Sequence, residues 1–286
     1  MNPIAVNIGN LSITWYAIFI LSGIIIAYVL INKEAKKFNI PTSFISNLVF
    51  WCVIFGIIGA RIYYVIFNLD YYAQDPIEAI KVWNGGLAIH GGIIAGLITL
   101  ILYCKKEKIN VLKMLDIAAP YVMLAQAIGR WGNFFNSEAH GPIVSKTFLV
   151  SHHIPKFVID GMFIDGHYYH PTFFYESVLC LLGFVLLITI RRLKSTKNGN
   201  TISLYLIWYG VIRYFIESLR TDSLMLADFK MAQIISIIMI IVGIIMFIST
   251  CIHSNRYNEE KEQIIKQNSK NKEKKKSKKY ELHPIK

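Results

Sequence analysis

The stretch LDIAAPYVMLAQAIGRWGNFFNSEAHG, residues 115–141, decides the fold class and poses the functional question together. From Leu115 to Ile128 it is apolar apart from Asp116 and Gln126. With the aromatic residues Trp131, Phe134 and Phe135 it reaches roughly the 20 residues that an α-helix needs to cross a hydrocarbon core. Where that helix would leave the bilayer stand Arg130, Asn133, Asn136 and Glu138. Hydrocarbon penalises such groups unless they are paired or hydrated, so they must serve something beyond packing.

Runs of similar length recur at 12–31, 43–66, 85–104, 115–135, 171–190, 202–219 and 231–251. They predict an all-α polytopic membrane protein with seven transmembrane helices. Short loops rich in Lys and Arg stay cytoplasmic. Lys33, Lys36 and Lys37 follow span one, Lys105, Lys106, Lys108 and Lys113 follow span three, and Arg191, Arg192, Lys194 and Lys197 follow span five. The opposite loops carry only Lys81, Lys146, Lys156, Arg220 and Lys230. The N-terminus is therefore expected outside and the C-terminus in the cytoplasm. The first span lacks a basic leader and six more follow it, so it is read as part of the mature chain.

The domain reading is a catalytic transmembrane domain over 1–251, including an extracytoplasmic head over 136–170, and a basic, disordered cytoplasmic tail over 252–286. The net charge of +12 comes mainly from the cytoplasmic flanks and this tail. It therefore does not point to nucleic acid, and no nucleic-acid partner is expected. The tail run KNKEKKKSKK reads as a solvated anchor or as a patch for anionic headgroups. Cys52, Cys104, Cys180 and Cys251 lie in or at the ends of spans without CxxC spacing, so neither a disulfide framework nor a metal knot is suggested.

Polar groups inside the spans fall at one level. At about 1.5 Å per residue, Tyr16, His90 and Glu176 lie roughly 6 to 8 Å from their predicted outer helix starts. Arg61, Arg130 and Arg213 lie roughly 18 to 27 Å from their cytoplasmic ends. All six belong to the outer half, which suggests a shared cavity, although any one Arg near a helix end can also snorkel to the interface. In span six Tyr209, Arg213 and Glu217 recur at i, i+4 and i+8, on one helical face. Arg213 and Glu217 are either a self-neutralising ion pair or a preorganised cation for a phosphate. In NGGLAIHGGIIAG, Gly92 and Gly96 form a GxxxG suited to close helix approach. His90 between the glycines is either interhelical glue or an accessible base.

The head contains FVIDGMFIDGHYYHP, whose two Asp-Gly pairs predict a β-hairpin. His140, His152, His153, His167 and His170 lie in it, but with neither cysteines nor an HExxH nearby, no metal is expected. Pro171 suits the start of the helix that carries Glu176.

GRWGNFFNSEAHG resembles the pattern G-R-x-G-N-F-x-N-x-E-x-x-G of bacterial prolipoprotein diacylglyceryl transferases and meets every fixed position. The similarity extends to Trp15 and Tyr16, GARIYYVIF at 59–67, GGLAIHGG at 85–92, HPTFFYE at 170–176 and YGVIRYFIESLR at 209–220. The resemblance implies transfer of a diacylglyceryl group from phosphatidylglycerol to the thiol of the lipobox cysteine in a prolipoprotein signal peptide, forming a thioether and releasing glycerol phosphate. It implies a multi-pass protein of the bacterial cytoplasmic membrane, active in the outer half of the bilayer, with phosphatidylglycerol, lipobox signal peptides and membrane lipid as partners and with no cofactor. Its important positions fall at Tyr16, His90, Arg130, Asn133, Glu138, Gly141, Glu176, Tyr209, Arg213 and Glu217.

On this reading Arg130 and Arg213 grip the departing phosphate, Asn133 and Tyr209 add donors, Glu138 and Glu217 orient the guanidinium forks, and His90 is the candidate base. Arg61 is left as a headgroup or structural contact. The alternative is a transporter or channel with an Arg/His/Glu-lined pathway. That would place polar groups in both halves, yet the inner half holds little beyond Asn47, Asp116 and Gln126, and no inverted repeat is visible. A phospholipid-binding scaffold would explain the arginines but not His90 and the carboxylates.

Overall fold

A computed structural model describes residues 2–9, 11–221, 225–226, 229–259 and 263. Of the tail expected over 252–286, all beyond 259 except residue 263 lies outside the described residues. A hairpin of β1 (Ile4–Ile8) and β2 (Leu11–Thr14) leads into α1 (Trp15–Ala35). Then come α2 (Thr42–Ile66), the short α3 (Leu69–Tyr72), α4 (Ile89–Lys106) and α5 (Val111–Phe135). The head follows as β3 (Ile143–Val144), α6 (Lys146–Ser151), α7 (Lys156–Gly161), β4 (Phe163–Ile164) and β5 (His167–Tyr169). The chain continues with α8 (Thr172–Arg192), α9 (Asn200–Leu219), β6 (Met225–Leu226), β7 (Phe229–Lys230) and α10 (Met231–His253).

Among the described residues, seven helices are long and apolar enough to cross a membrane, matching the seven predicted spans. They leave Leu21, Ile25, Val53, Ile98, Ile245 and Ile252 exposed, a surface suited to lipid rather than water. Two starts differ from expectation. Residues 12–14 belong to a strand, and the Thr14 hydroxyl accepts the N–H of Ala17 (3.2 Å), so Thr14 caps α1 at Trp15. The third span begins at Ile89 instead of residue 85, because Gly85 and Gly86 have φ of +85° and +69°, which a right-handed helix does not accept. Tyr16 and His90 therefore lie in the first turn of their helices, not 6 to 8 Å down.

The chain divides into two compact units, Asn32–Met114 and a larger one formed by Met1–Ile31 with Leu115–Lys286. In the smaller unit α2 and α4 pack antiparallel, with Phe44 beside Tyr103 near one end and Gly59 against Gly91 toward the other. A Cβ on Gly91 would lie 2.3 Å from the Gly59 carbonyl oxygen, whereas one on Gly96 would meet nothing within 4 Å. The close approach predicted for Gly92 and Gly96 is thus centred on Gly91. Without a hydrophobic drive between helices in lipid, such backbone proximity supplies the packing energy.

Arg61 is buried in the same unit and proves structural. Its Nε donates to Ala79 O (2.9 Å), Nη1 to Gly85 O (2.6 Å) and Gly86 O (2.9 Å), and Nη2 to Glu78 O (2.6 Å) and Lys81 O (3.3 Å). These contacts use all five donors of the guanidinium on the loop between α3 and α4.

In the larger unit α5 packs against α1 through Gly23 and Ala125 and against α8 through Ser177, whose hydroxyl donates to Ala127 O (2.8 Å). Trp208 of α9 donates from Nε1 to Leu179 O of α8 (3.0 Å), and α10 packs along α9. The buried Met123, Ala127, Cys180 and Leu187 form the core of α5 and α8, with Leu204, Trp208 and Tyr209 of α9 packed on it. The first residues after α10 are fastened to the loop before α9, Tyr257 N donating to Thr196 O (2.8 Å) and Asn198 N to Asn255 O (2.9 Å).

The head is a three-stranded sheet in the order β3-β5-β4 with α6 and α7. The expected hairpin forms at the second Asp-Gly pair, where Asp165 (φ +47°) and Gly166 (φ +84°) give the two left-handed residues that a tight turn of this twist requires. The first pair makes no turn between strands. Asp160 and Gly161 lie in α7, whose Val158 and Ile159 are buried. Val158 shares a core with Phe134, Met162 and Phe173, with Trp131 packed against it and stacked on Phe157.

Candidate active site

The opening stretch folds as α5 running into a strained turn. Gly132 lets α1 approach: a Cβ there would lie 2.7 Å from Tyr16 Cδ2 and 3.0 Å from Tyr16 Cα. Beyond Phe135 the chain turns through Ser137 (φ +54°) and Ala139 (φ +56°), both left-handed without being glycine. Such outliers persist only where surroundings hold them. Here Glu138 N donates to Asn133 O (3.1 Å), Thr172 Oγ1 donates to Ala139 O, and Gly141 N donates to His170 O (2.9 Å). Glu138 Oε1 accepts from Asn133 Nδ2 (2.9 Å) and Asn136 Nδ2 (3.2 Å). Glu138, expected to orient a guanidinium fork, thus ties the two signature asparagines together.

The carboxylate between the guanidinium groups is Glu176. Its Oε1 is 2.8 Å from Arg130 Nη2 and its Oε2 is 3.4 Å from Arg213 Nη1. Tyr209 joins both helices to it, accepting from Arg130 Nη2 (3.2 Å) and donating to Glu176 Oε1 (3.3 Å). Arg213 Nη2 also pairs with Glu217 Oε2 (2.6 Å), one turn along α9, and Arg220 Nε reaches the same oxygen at 4.0 Å. Of the stripe Tyr209, Arg213 and Glu217, the first two therefore face α5 and α8, while Glu217 pairs along its own chain.

Depth along the helices agrees. Arg130 and Arg213 lie roughly 8 to 9 Å from the ends of α5 and α9, and Glu176 lies roughly 6 Å into α8, which runs the other way. Glu176 is 2% exposed, whereas the side chains of Arg130 and Arg213 keep 21% and 17%. Among the described residues Arg130 and Arg213 share Glu176, and Arg213 and Arg220 share Glu217. The arrangement can hold a single anion against accessible, pre-oriented forks.

In the sequence Lys230 is only a loop charge. Its Nζ donates to the carbonyls of Glu217 (2.7 Å), Ser218 (3.4 Å) and Arg220 (2.8 Å), closing the C-terminus of α9 beside the site. A lysine just before span seven carries no sequence signal for that role. Arg220 does carry a sequence signal, since it continues the stripe of Tyr209, Arg213 and Glu217 a further turn or so out. His90 lies in the other unit, its ring 6.2 Å from that of Tyr63.

Of the head histidines, His152 and His170 share Phe148, their rings 3.9 and 5.1 Å from its centre. His140 lies against Tyr169, His152 on Phe148, and His170 Nδ1 is 3.3 Å from the Tyr175 hydroxyl. Burial lowers the His170 pKa, and nearby His152 adds to the effect. Among the described residues no group of three or more His, Cys, Asp or Glu side chains is arranged to hold a metal ion.

A family model described as prolipoprotein diacylglyceryl transferase matches residues 3–249. The chain is 51% identical over 249 residues to the phosphatidylglycerol–prolipoprotein diacylglyceryl transferase of Staphylococcus haemolyticus (strain JCSC1435), covering 87% of this chain and 88% of that protein. It is 50% identical over 249 residues to the enzyme of that name from Staphylococcus saprophyticus subsp. saprophyticus and 49% identical to that from Staphylococcus xylosus, covering 87% of this chain and 89% of each relative.

Proposed function

Because the chain belongs to the prolipoprotein diacylglyceryl transferase family, we propose that Arg130 and Arg213, bridged by Glu176, are the clamp with which it handles phosphatidylglycerol. The protein is a multi-pass membrane transferase that moves the diacylglyceryl group of phosphatidylglycerol to a prolipoprotein. A transport pathway lined by Arg, His and Glu is not favoured.

In the transfer, the sulfur of the acceptor cysteine attacks the terminal glycerol carbon of the diacylglyceryl group. The bond from that carbon to the phosphate oxygen breaks, glycerol phosphate leaves, and the thiol proton passes to a base. Charge grows on the departing phosphoryl oxygens. Two planar forks stabilise that growing charge better than the single charge of the ground-state phosphodiester.

Asn133, held through Glu138, supplies a neutral donor, whereas Tyr209, whose one O–H is given to Glu176, acts by holding that carboxylate and Arg130 in place. Tyr16 and Gly141 shape the walls beside them, and Glu217 holds the second fork of Arg213. For the thiol proton the family resemblance points to His90, whose imidazole nitrogen can take up a proton. The basic flanks support a cytoplasmic-membrane protein with its N-terminus outside. On that orientation the clamp stands in the outer half of the bilayer, where a translocated signal peptide presents its cysteine.

The single observation behind this reading is the Glu176 carboxylate shared by two partly accessible guanidinium groups. The test is incubation of purified protein with labelled phosphatidylglycerol and a lipobox peptide bearing Cys or Ser at the acceptor position. Label should enter the Cys peptide only. Arg130→Lys should lower the rate at least about 100-fold, because a point charge does not replace the fork. Normal transfer by that variant would contradict the clamp.

A further inference from the structure

The transfer chemistry makes no use of the polar groups at the other ends of α5, α8 and α9. Asp116, near the start of α5, is fully buried. Its Oδ2 accepts the N–H of Gly199 (2.5 Å) and its Oδ1 that of Ile202 (2.8 Å). Gly199 is the N-cap of α9 and has no side chain with which to satisfy the first-turn amides. A carboxylate from a neighbouring helix does so instead, with the favourable sign for a helix N-terminus.

Arg191 at the end of α8 is also buried, although its sequence context reads as a cytoplasmic loop charge. Its Nη1 donates to the carbonyls of Asp116 and Ile117 (3.1 Å each), and its Nη2 donates to the Tyr121 hydroxyl (2.9 Å). Thus α8 and α9 are both referenced to the same turn of α5. These three helices carry Glu176, Tyr209 with Arg213, and Arg130 toward their opposite ends. Along α5, Asp116 is about 21 Å from Arg130, and along α9, Ile202 is about 16 Å from Arg213. A slip of one residue would move α9 by about 1.5 Å. The contacts of Tyr209 and Arg213 with α5 and α8, at 3.2 to 3.4 Å, would not survive it.

We propose that Asp116 is a positioning residue for the transfer. Its carboxylate fixes the axial register of α9 against α5 and so sets the spacing of Arg130 and Arg213 around Glu176. This rests on the clamp reading. It needs an acceptor on both oxygens, because an amide in place of the carboxylate would turn an NH2 group toward one of the two backbone donors.

The test uses the full chain, purified into mixed micelles of phosphatidylglycerol with a lipobox peptide, and compares equal amounts of monodisperse protein. Asp116→Asn should lower kcat about 10- to 100-fold while KM for phosphatidylglycerol moves less than about threefold, as expected when geometry and not binding is lost. In a Tyr209→Phe background, where the Tyr209 hydroxyl contacts with Arg130 and Glu176 are already cut and Arg213 alone still joins α9 to Glu176, Asp116→Asn should cost less than it does in the wild type. An unchanged kcat with only a lower Tm, or equal losses in both backgrounds, overturns the proposal. If Asp116→Asn does not yield folded protein, Arg191→Lys, which keeps the charge and loses the fork on two carbonyls, is read by the same criteria. Arg130→Lys is assayed alongside. A normal rate there rejects the clamp, whereas a loss there with Asp116→Asn fully active rejects the positioning role alone.

Discussion

Glu176 Oε1 stands 2.8 Å from Nη2 of Arg130, and the carboxylate is 2% exposed. Among the described residues it is the one group that contacts Arg130, Tyr209 and Arg213 together, so it offsets the charge of the forks while keeping them a fixed distance apart. Its removal should be felt twice. Glu176→Ala leaves two guanidinium groups facing each other and should destabilise the folded protein by about 3–5 kcal/mol, the range for breaking a buried ion pair on one side. Glu176→Gln keeps the shape and loses the charge. It should retain more of the stability but lose at least about 10-fold in kcat, since the forks are no longer held. Thermal unfolding in detergent and single-turnover transfer separate the two effects. Full activity of Glu176→Gln would remove the bridging carboxylate from the mechanism.

The seven spans could be read because hydropathy over a bilayer's length is a property of sequence alone, and the face shared by Tyr209, Arg213 and Glu217 because helical periodicity is. Pairings across helices are not encoded that way. Glu176 was visible as a deep carboxylate, but that it bridges Arg130 and Arg213 depends on how α5, α8 and α9 pack. Arg191 was hidden by its company: beside Arg192 and Lys194 it reads as a flanking charge, and only its burial against Asp116 and Tyr121 distinguishes it. The start of α1 was ambiguous because Leu11–Thr14, an apolar and β-prone run, suits the end of a span or a strand, and pairing with Ile4–Ile8 decides it.

The Gly59 and Gly91 approach makes a prediction inside the smaller unit. A methyl on Gly91 would lie 2.3 Å from the Gly59 carbonyl oxygen and 2.4 Å from Tyr63 Cβ, so α2 and α4 must separate to admit it. Gly91→Ala should cost about 1–3 kcal/mol, the range for overpacking. Gly96→Ala, with nothing within 4 Å, should change stability by less than about 0.5 kcal/mol. Melting temperatures of the two variants in one detergent compare them directly. Equal effects would mean that the GxxxG spacing, and not the contact at Gly91, sets the approach.

His170 supplies a pH dependence. Its pKa is lowered in the folded head, first by burial and then by His152. The unfolded chain therefore binds a proton that the folded chain resists. The stability is present above the ordinary histidine pKa of about 6.5 and is lost as pH falls through that value toward the lower folded one. Wild-type protein should show a falling melting temperature between about pH 7 and pH 5. His170→Gln should show a shallower fall over the same interval. Parallel curves for the two proteins would show that the His170 proton is not linked to folding.

Arg61 offers a readout at a distance from the transfer chemistry. Its five donors hold the carbonyls of Glu78, Ala79, Lys81, Gly85 and Gly86, and its guanidinium carbon lies 5.2 Å from the centre of the Tyr72 ring. Lys81 sits on this loop with Nζ 2.5 Å from Glu78 Oε1, a contact that raises the Lys81 pKa. Arg61→Lys keeps the charge but has three donors on one nitrogen, too few and too close together for carbonyls on both sides of the fork. The loop should open, and trypsin should cleave after Lys81 at least about 10-fold faster than in the wild type, since a loss of about 1.4 kcal/mol in local closing free energy raises the open population tenfold. Cleavage at the wild-type rate would mean that the loop keeps its shape without the fork, and that the five contacts follow from the fold instead of creating it.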